Sequence, residues 1–401
     1  MSFSLQFLKS QKKTSALQMA VDVGSRYIHA VVFEKELQDN EPEKPVFRII
    51  KKIIKPLASL HKASQVSQRL HEVIFEATKD LGRLPSVTWA TFSPELVETS
   101  LESWNISLAT KAEMVTPKEL RNYFNNIAAE PGRIKPGNDA RPVQFFFNGY
   151  AIDPFTFRGK RNNAIIEEVG FRVLVSEFKE DALKEMQEIR RMLGGVAIEY
   201  VPSAFLLKEC ITGMLKMDDA LMIDVGETHT ELLFIYGREF KGIAHFPFGS
   251  NHFVEAFPGD VTTRSAGRDA GELRHRYEEG AMEDNQKAAI RPMLDEAAET
   301  WKKELMKTLT LFYPAGPIPE YVLLSGIGAR MPEIRKVVTE GNWMEEASFV
   351  QKPRCALFEP ERMLVFDSKG QTIHGLEETG IATLMYFAAH HNAKDEMTRI
   401  Q

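Results

Sequence analysis

Two stretches of this chain combine a carboxylate, a glycine and hydroxyl groups in the same order. "MAVDVGSRYIHAVVFE" (Met19–Glu34) carries Asp22, Gly24 and Ser25, and "LMIDVGETHTELLFI" (Leu221–Ile235) carries Asp224, Gly226, Thr228 and Thr230. In each, an apolar run ends at Asp-Val-Gly, passes through a short polar turn and returns to β-forming residues. Glycine lets a backbone approach a ligand closely because no Cβ intervenes. Successive N–H groups of a tight turn form a concavity suited to phosphate. The turn residues Gly24, Ser25 and Arg26 of the first copy and Gly226, Thr228 and Thr230 of the second would supply the donors. An aspartate gains nothing from touching phosphate directly, but it can hold hydrated Mg²⁺ that bridges phosphate oxygens. Asp22 and Asp224 are therefore the candidate metal residues, acting through water.

A single Asp-x-Gly turn would read as an ordinary hairpin. Here the two copies lie 202 residues apart, about half the chain, which predicts two similar α/β lobes clamping a nucleotide between them. A third element is "YVLLSGIGARMPEI" (Tyr321–Ile334), a strand followed by a glycine loop and the start of a helix, with Gly326, Gly328 and Ala329 placed for close approach to a nucleotide. It lacks the Gly-Lys end of a P-loop and the third glycine of a dinucleotide fingerprint.

The totals agree with a globular, multidomain protein. A chain of 401 residues exceeds one ordinary core. Hydrophobic content is 43% and charged content 26%, with 50 basic against 56 acidic residues and a net charge of −6. No basic excess points to nucleic acid. The two cysteines, Cys210 and Cys355, lack the spacing of a metal site or disulfide framework. No apolar run approaches the roughly 18 residues of a membrane span, and "MSFSLQFLKSQKK" is too short and polar for a secretory signal. These features predict a cytoplasmic protein.

Along the chain, residues 17–84 read as a hairpin, a charged loop ("EKELQDNEPEKP"), a strand and a helix from about Ser64 to Asp80. Thr116, Pro117 and Glu119 have the types and spacing of a capping box at a helix start. "KEDALKEMQEIRRMLGG" reads as an amphipathic helix ended by Gly194-Gly195. His29, His229, His245 and His252 do not form a recognised metal-ligand spacing.

The two Asp-x-Gly hairpins followed by a glycine loop resemble the actin/Hsp70/sugar-kinase superfamily, and within it the FtsA and PilM branch. "FPFGSNHFVEAF" (Phe246–Phe257), containing Gly249, is similar to a segment that follows the second hairpin in that branch. "AGELRHRYEEG", with Glu272 and Arg276, resembles a helix that family members place against ribose and adenine. "WKKELMKTLTLFY" (Trp301–Tyr313) resembles a PilM helix. The resemblance covers roughly Leu17 to Ala389 and implies an α/β fold: a two-lobed actin-like (ribonuclease H-like) ATPase with a small α+β domain inserted in the first lobe. The implied boundaries are 17–84 plus 177–216 for the first lobe, 85–176 for the insert, and 217–401 for the second lobe with a helical subdomain at 252–318.

Departures from the pattern bear on activity. Glu227 stands where FtsA proteins have glycine, and Tyr27 where they usually have lysine. Like unit charges 4 Å apart cost about 4 kcal/mol at an effective dielectric of 20, so ATP and Mg²⁺ are the expected ligands but the chain is expected to be at most a slow ATPase. Two functions follow from the resemblance. The first, favoured because of the long insert, is an FtsA-like scaffold that self-associates into filaments and links a division-filament protein to the inner membrane face. The alternative is a PilM-like adaptor of type IV pilus assembly that docks an inner-membrane partner. The amphipathic C-terminal anchor of FtsA has no counterpart in "AAHHNAKDEMTRIQ", so membrane contact is expected to be indirect or to run through residues 1–13.

Overall fold

The computed structural model describes residues 17–25, 27–38, 41–57, 63–112, 115–135, 138–152, 165–179, 198–254, 276–277, 280–366 and 371–390. The N-terminal segment Met1–Lys13, Arg26, the expected helix over residues 180–195, Glu272 and the tail after His390 lie outside the described residues.

The first sheet is built from β1 (Gln18–Val23), β2 (Tyr27–Gln38), β3 (Glu41–Pro56) and β4 (Val87–Phe92). Strands β5 (Val97–Ala112), β6 (Asp139–Phe147), β7 (Tyr150–Ile152) and β8 (Ile166–Phe178) follow, before β9 (Ile198–Tyr200) returns the chain to the first sheet. The second lobe contributes β10 (Ala220–Val225), β11 (Thr230–Tyr236), β12 (Glu239–Phe246), β13 (Tyr321–Ser325) and β14 (Arg354–Leu357), and β15 (Val365–Phe366) pairs back onto β3. Strand order is β15-β3-β2-β1-β4-β9 in the first sheet and β12-β11-β10-β13-β14 in the second. Setting β15 aside, the two orders are the same: an antiparallel meander of three strands, then two parallel strands beside its first member. The duplication seen in the sequence is thus a duplication of topology. Because β1 and β10 are central strands, both of their faces are covered, which is why their sequences are continuous apolar runs.

The expected charged loop Glu34–Pro45 is mostly strand. β2 continues to Gln38 and β3 begins at Glu41, with Lys35 opposite Phe47 and Glu36 opposite Val46. Ladder hydrogen bonds are made by the backbone, so polar side chains do not end a hairpin that lies at a sheet's margin. The expected helix near Ser64–Asp80 spans Ala63–Thr78.

Two helices join the sheets. Ser203–Glu209, continued by a π-helical turn over Cys210–Met214, and Thr379–His390 share one core with both lobes: Ala20 and Phe33 from the first, Met222 and Leu233 from the second, and Leu206 and Phe387 between them. Trp89 meets Phe387 edge-on at 5.2 Å. The Lys35 ammonium donates to Ala389 O at 2.6 Å, satisfying a carbonyl of the helix's last turn.

A third sheet, β5-β8-β6-β7, has its own core, where Trp104 stacks on Phe124 of the helix Pro117–Ala128 at 5.5 Å. That helix begins with the expected capping box: Thr116 Oγ1 accepts from Glu119 N at 3.2 Å, and Glu119 Oε2 accepts from Thr116 N at 2.7 Å. This sheet is tied into the rest of the molecule. Val143 and Leu174 enter the shared core, and the buried Arg141 guanidinium donates to Tyr200 O at 2.6 Å.

Candidate functional site

The cleft between the lobes is built by the two hairpins. Gly24 N donates to Tyr27 O at 3.0 Å, and Gly226 N donates to His229 O at 2.9 Å, so both turns close in the same way. The registers match as well. Asp22 stands opposite His29 on β2 and Thr91 on β4; Asp224 stands opposite Glu231 on β11 and Ser325 on β13. Each aspartate is therefore the next-to-last residue of a buried central strand, directed by the pleat into the space between the sheets.

Asp22, Gly24, Ser25, Asp224, Gly226, Thr228 and Gly326 all line one cavity of 180 Å³. His29, Glu95, Glu227, His229, Glu231 and Glu377 join them, and no lysine or arginine is among the described lining residues. Six carboxyl groups thus face two imidazoles. Burial, reinforced by the charge of Asp224, pushes the Asp22 carboxyl up to about 7. Burial raises Asp224 to about 6, opposed in part by the Ser325 hydroxyl. Burial and the Asp224 charge raise Glu231 to about 8, opposed by the Ser203 hydroxyl 3.4 Å away. The charge of Asp224 thus opposes ionisation of both Asp22 and Glu231. His29 moves the other way, down to about 4, through burial and the nearby Lys52.

The second half of the cleft wall is the start of the helix Thr379–His390. A Cβ built on Gly380 would lie 2.3 Å from Asp22 Oδ2, so glycine is what allows the helix's first turn to meet that carboxyl. Gly326, at φ +83°, sits equally close to the second hairpin, with a built Cβ 2.5 Å from Val225 O.

Several expected site residues are elsewhere. Thr230 is fully buried on the core side of β11; its hydroxyl donates to Phe248 O at 2.7 Å and accepts from the Trp301 indole at 2.9 Å, so it faces away from the cleft. Gly249 does not line the cavity either. Its missing Cβ makes room for the second hairpin's own backbone, since a Cβ there would fall 2.4 Å from Glu227 C and O. Gly328 packs on Val225, and Ala329 is buried in the second lobe's core. Arg276 is half-buried, with its guanidinium 3.5 Å from Ala281 O. His252 has a structural role: its ring accepts from Gly249 N at 3.2 Å and stacks on Phe248 at 4.1 Å. Glu227, expected to matter by its charge, is buried and lines the cavity.

Sequence reading missed Glu95, Glu231, Ser203 and Glu377. Glu231 could have been found by extending the Asp22/Asp224 alignment seven residues along the second strand. Glu95 sits in a turn after β4 and carries no local pattern.

The chain superposes over 94% of its length on 99% of a chain from a PilM–PilN type IV pilus biogenesis complex, with a TM-score of 0.60 at 15% identity. The fold is that of an actin-like ATPase. Weaker likenesses are to the ethanolamine utilization protein EutJ from Carboxydothermus hydrogenoformans (TM-score 0.42, 12% identity, 94% of this chain and 92% of that one) and to a protein with an actin-like ATPase fold from Bacteroides thetaiotaomicron (0.41, 7%, 95% and 99%). No family model and no curated protein sequence matches the chain. In this actin-like fold the cavity occupies the space between the two duplicated sheets. Among the described residues, no helix is long and apolar enough to cross a membrane.

The chemistry of the lining bears on which ligand it suits. Carboxyls held partly protonated by their own burial suit a divalent cation, which would supply the missing positive charge. Among the described residues no three His, Cys, Asp or Glu side chains stand close enough to ligate one ion directly. Asp22 and Asp224 are the residues that could hold Mg²⁺ through its water, which suits an ion that dehydrates reluctantly.

Proposed function

We propose that this actin-like chain is an adaptor that takes up ATP as its magnesium complex between the lobes and docks an inner-membrane partner, with hydrolysis slow or absent. One observation carries the nucleotide part: two turns that close in the same way, from two duplicated sheets, line one cavity together with Asp22 and Asp224. A bare polyphosphate would meet six carboxyls and no described lysine or arginine, so the anion is admissible only with its metal. Mg²⁺ supplies charge neutralisation when bound; Asp22 and Asp224 orient it, and the turns at Gly24–Ser25 and Gly226–Thr228 face the phosphates.

The adaptor part rests on the whole-length likeness to a structure of PilM in complex with PilN. That likeness moves the reading from the division scaffold favoured by sequence to the pilus-type adaptor. Attachment to the membrane then runs through the partner. Calorimetry with Mg·ATP should show binding that Asp224→Ala weakens at least tenfold and that chelation of Mg²⁺ abolishes. Capture from the native host should retrieve an inner-membrane pilus protein. Unchanged affinity in the variant would remove the clamp, and retrieval of a division-filament protein would restore the scaffold reading.

A further inference from the structure

Glu95 touches the turns of both hairpins. The chain leaves β4 through Ser93, whose N–H donates to Val23 O at 2.9 Å, and this pins the turn beside the first hairpin. From there Glu95 Oε2 accepts from the Ser25 hydroxyl at 3.4 Å, while Oε1 lies 3.4 Å from His229 Nδ1 in the second hairpin. The imidazole is itself fixed: its Nδ1 is 2.9 Å from Thr228 Oγ1, and its ring lies edge-on to His245 at 6.1 Å. The Glu95 side chain is only 12% exposed. Burial works against its charge, but the contacts from His229 and Ser93 hold its carboxyl below the usual range, so it is an anion at neutral pH.

An anion bridging Ser25 and His229 takes the groups that a ligand phosphate clamped by these turns would use. The cavity left beside it, at 180 Å³, is smaller than the roughly 300–1,000 Å³ of ordinary ligand pockets. We propose that Glu95 is a built-in stand-in for the ligand's phosphate, a latch that holds the lobes together and must be displaced before nucleotide can bind. This rests on the nucleotide reading above for its ligand, but not for its effect on the lobes. Apparent affinity falls by the fraction of molecules that are open, so the latch reduces nucleotide affinity and loss of the latch restores it.

The test uses the full chain with two readouts. In the first, calorimetry compares Mg·ATP binding to the wild type, Glu95→Ala and Glu95→Gln. Glu95→Ala should bind about tenfold more tightly, and Glu95→Gln, which keeps the shape and loses the charge, should fall between. In the second, spin labels at Gln68→Cys and Gln286→Cys, both exposed and one in each lobe, report the distance between lobes without nucleotide in a Cys355→Ser background. Glu95→Ala should shift this distribution to longer distances; should it fail to fold, Glu95→Gln carries both measurements. Equal or weaker nucleotide binding in a folded variant would overturn the displacement, and an unchanged distance distribution would overturn the latch. If no protein bound nucleotide but the variant opened, the latch would stand and the nucleotide reading alone would fall.

Discussion

The two hairpins share a turn, a register and a neighbouring parallel strand, yet they hold their aspartates in different surroundings. Asp22 faces an imidazole that is kept neutral and abuts the first turn of a helix; Asp224 faces a second acid, Glu231. The turns differ in tolerance too. The turns' own glycines are alike, with a built Cβ 3.3 Å from Tyr27 O at Gly24 and 3.1 Å from His229 O at Gly226, but the second turn is also wedged against Gly249. Duplication has preserved the geometry that brings two carboxyls into one cleft and has let the support of each diverge. The first hairpin is adjustable, and the second is locked into its lobe.

The sharpest way to break that comparison is to add one methyl group to each side. Gly249→Ala would drive a Cβ into backbone atoms that cannot rotate away, and overpacking of this kind should cost about 3 kcal/mol. Gly24→Ala meets only one carbonyl oxygen at a tight but adjustable distance and should cost less than about 1 kcal/mol. Urea denaturation of the two variants checks both values. Equal losses would show that the second turn is no more rigidly held than the first.

Charge provides the next test. Asp22, Asp224 and Glu231 have folded-state pKa values of about 7, 6 and 8, all above their unfolded values. Between the unfolded and folded values the native state binds more protons, so stability falls as pH rises through that window. The loss begins near pH 4, is complete for Asp224 just above 6, for Asp22 just above 7, and for Glu231 only beyond 8. His29, lowered to about 4, acts oppositely: it costs stability below about pH 6.5, with the cost complete below 4. Asp22→Asn should therefore stabilise the protein on the order of 2 kcal/mol at pH 8 and almost not at all near pH 4, after allowing for coupling. Millimolar Mg²⁺ should stabilise the wild type at pH 8 and do less for Asp22→Asn. A variant whose advantage did not depend on pH would show that the carboxyl is not forced to ionise in an unfavourable place.

How much of this was readable beforehand follows from what local sequence encodes. The hairpins were legible because a central strand must be apolar on both faces, so an Asp-x-Gly interrupting two such runs at a half-chain offset stands out. The capping box at Thr116 was legible for a similar reason: all its parts lie within four residues. Gly249 and Gly328 were recognised as special but for the wrong neighbour, since a missing Cβ looks the same in sequence whether it admits a ligand or another segment of the same chain. Thr230 was misplaced because whether a residue at a turn's end faces cleft or core depends on register, which Trp301, 71 residues away, helps to set. Glu95 was invisible. It is 70 residues from Ser25 and belongs to the site only because β4 pairs in parallel with β1.

The smallest expected effect concerns Glu227, which stands in the second turn where the first has Ser25. It is buried at the cavity, so its charge bears on any phosphate held by that turn. Its influence is bounded, because the carboxylate can lean on the bound cation instead of meeting the phosphate as a bare charge. Glu227→Gly should therefore improve Mg·ATP affinity only about threefold, well below the roughly 4 kcal/mol of two unscreened like charges at 4 Å. It should also leave phosphate release below about 1 s⁻¹, the low end of typical enzyme turnover. The reason is that no lysine or arginine is among the described lining residues, so nothing from these side chains offsets the charge that develops as a phosphoryl group is transferred. Phosphate release measured under saturating Mg·ATP decides the matter. Rapid turnover in Glu227→Gly would mean that one substituted glycine had been the whole difference between this second hairpin and that of an active ATPase.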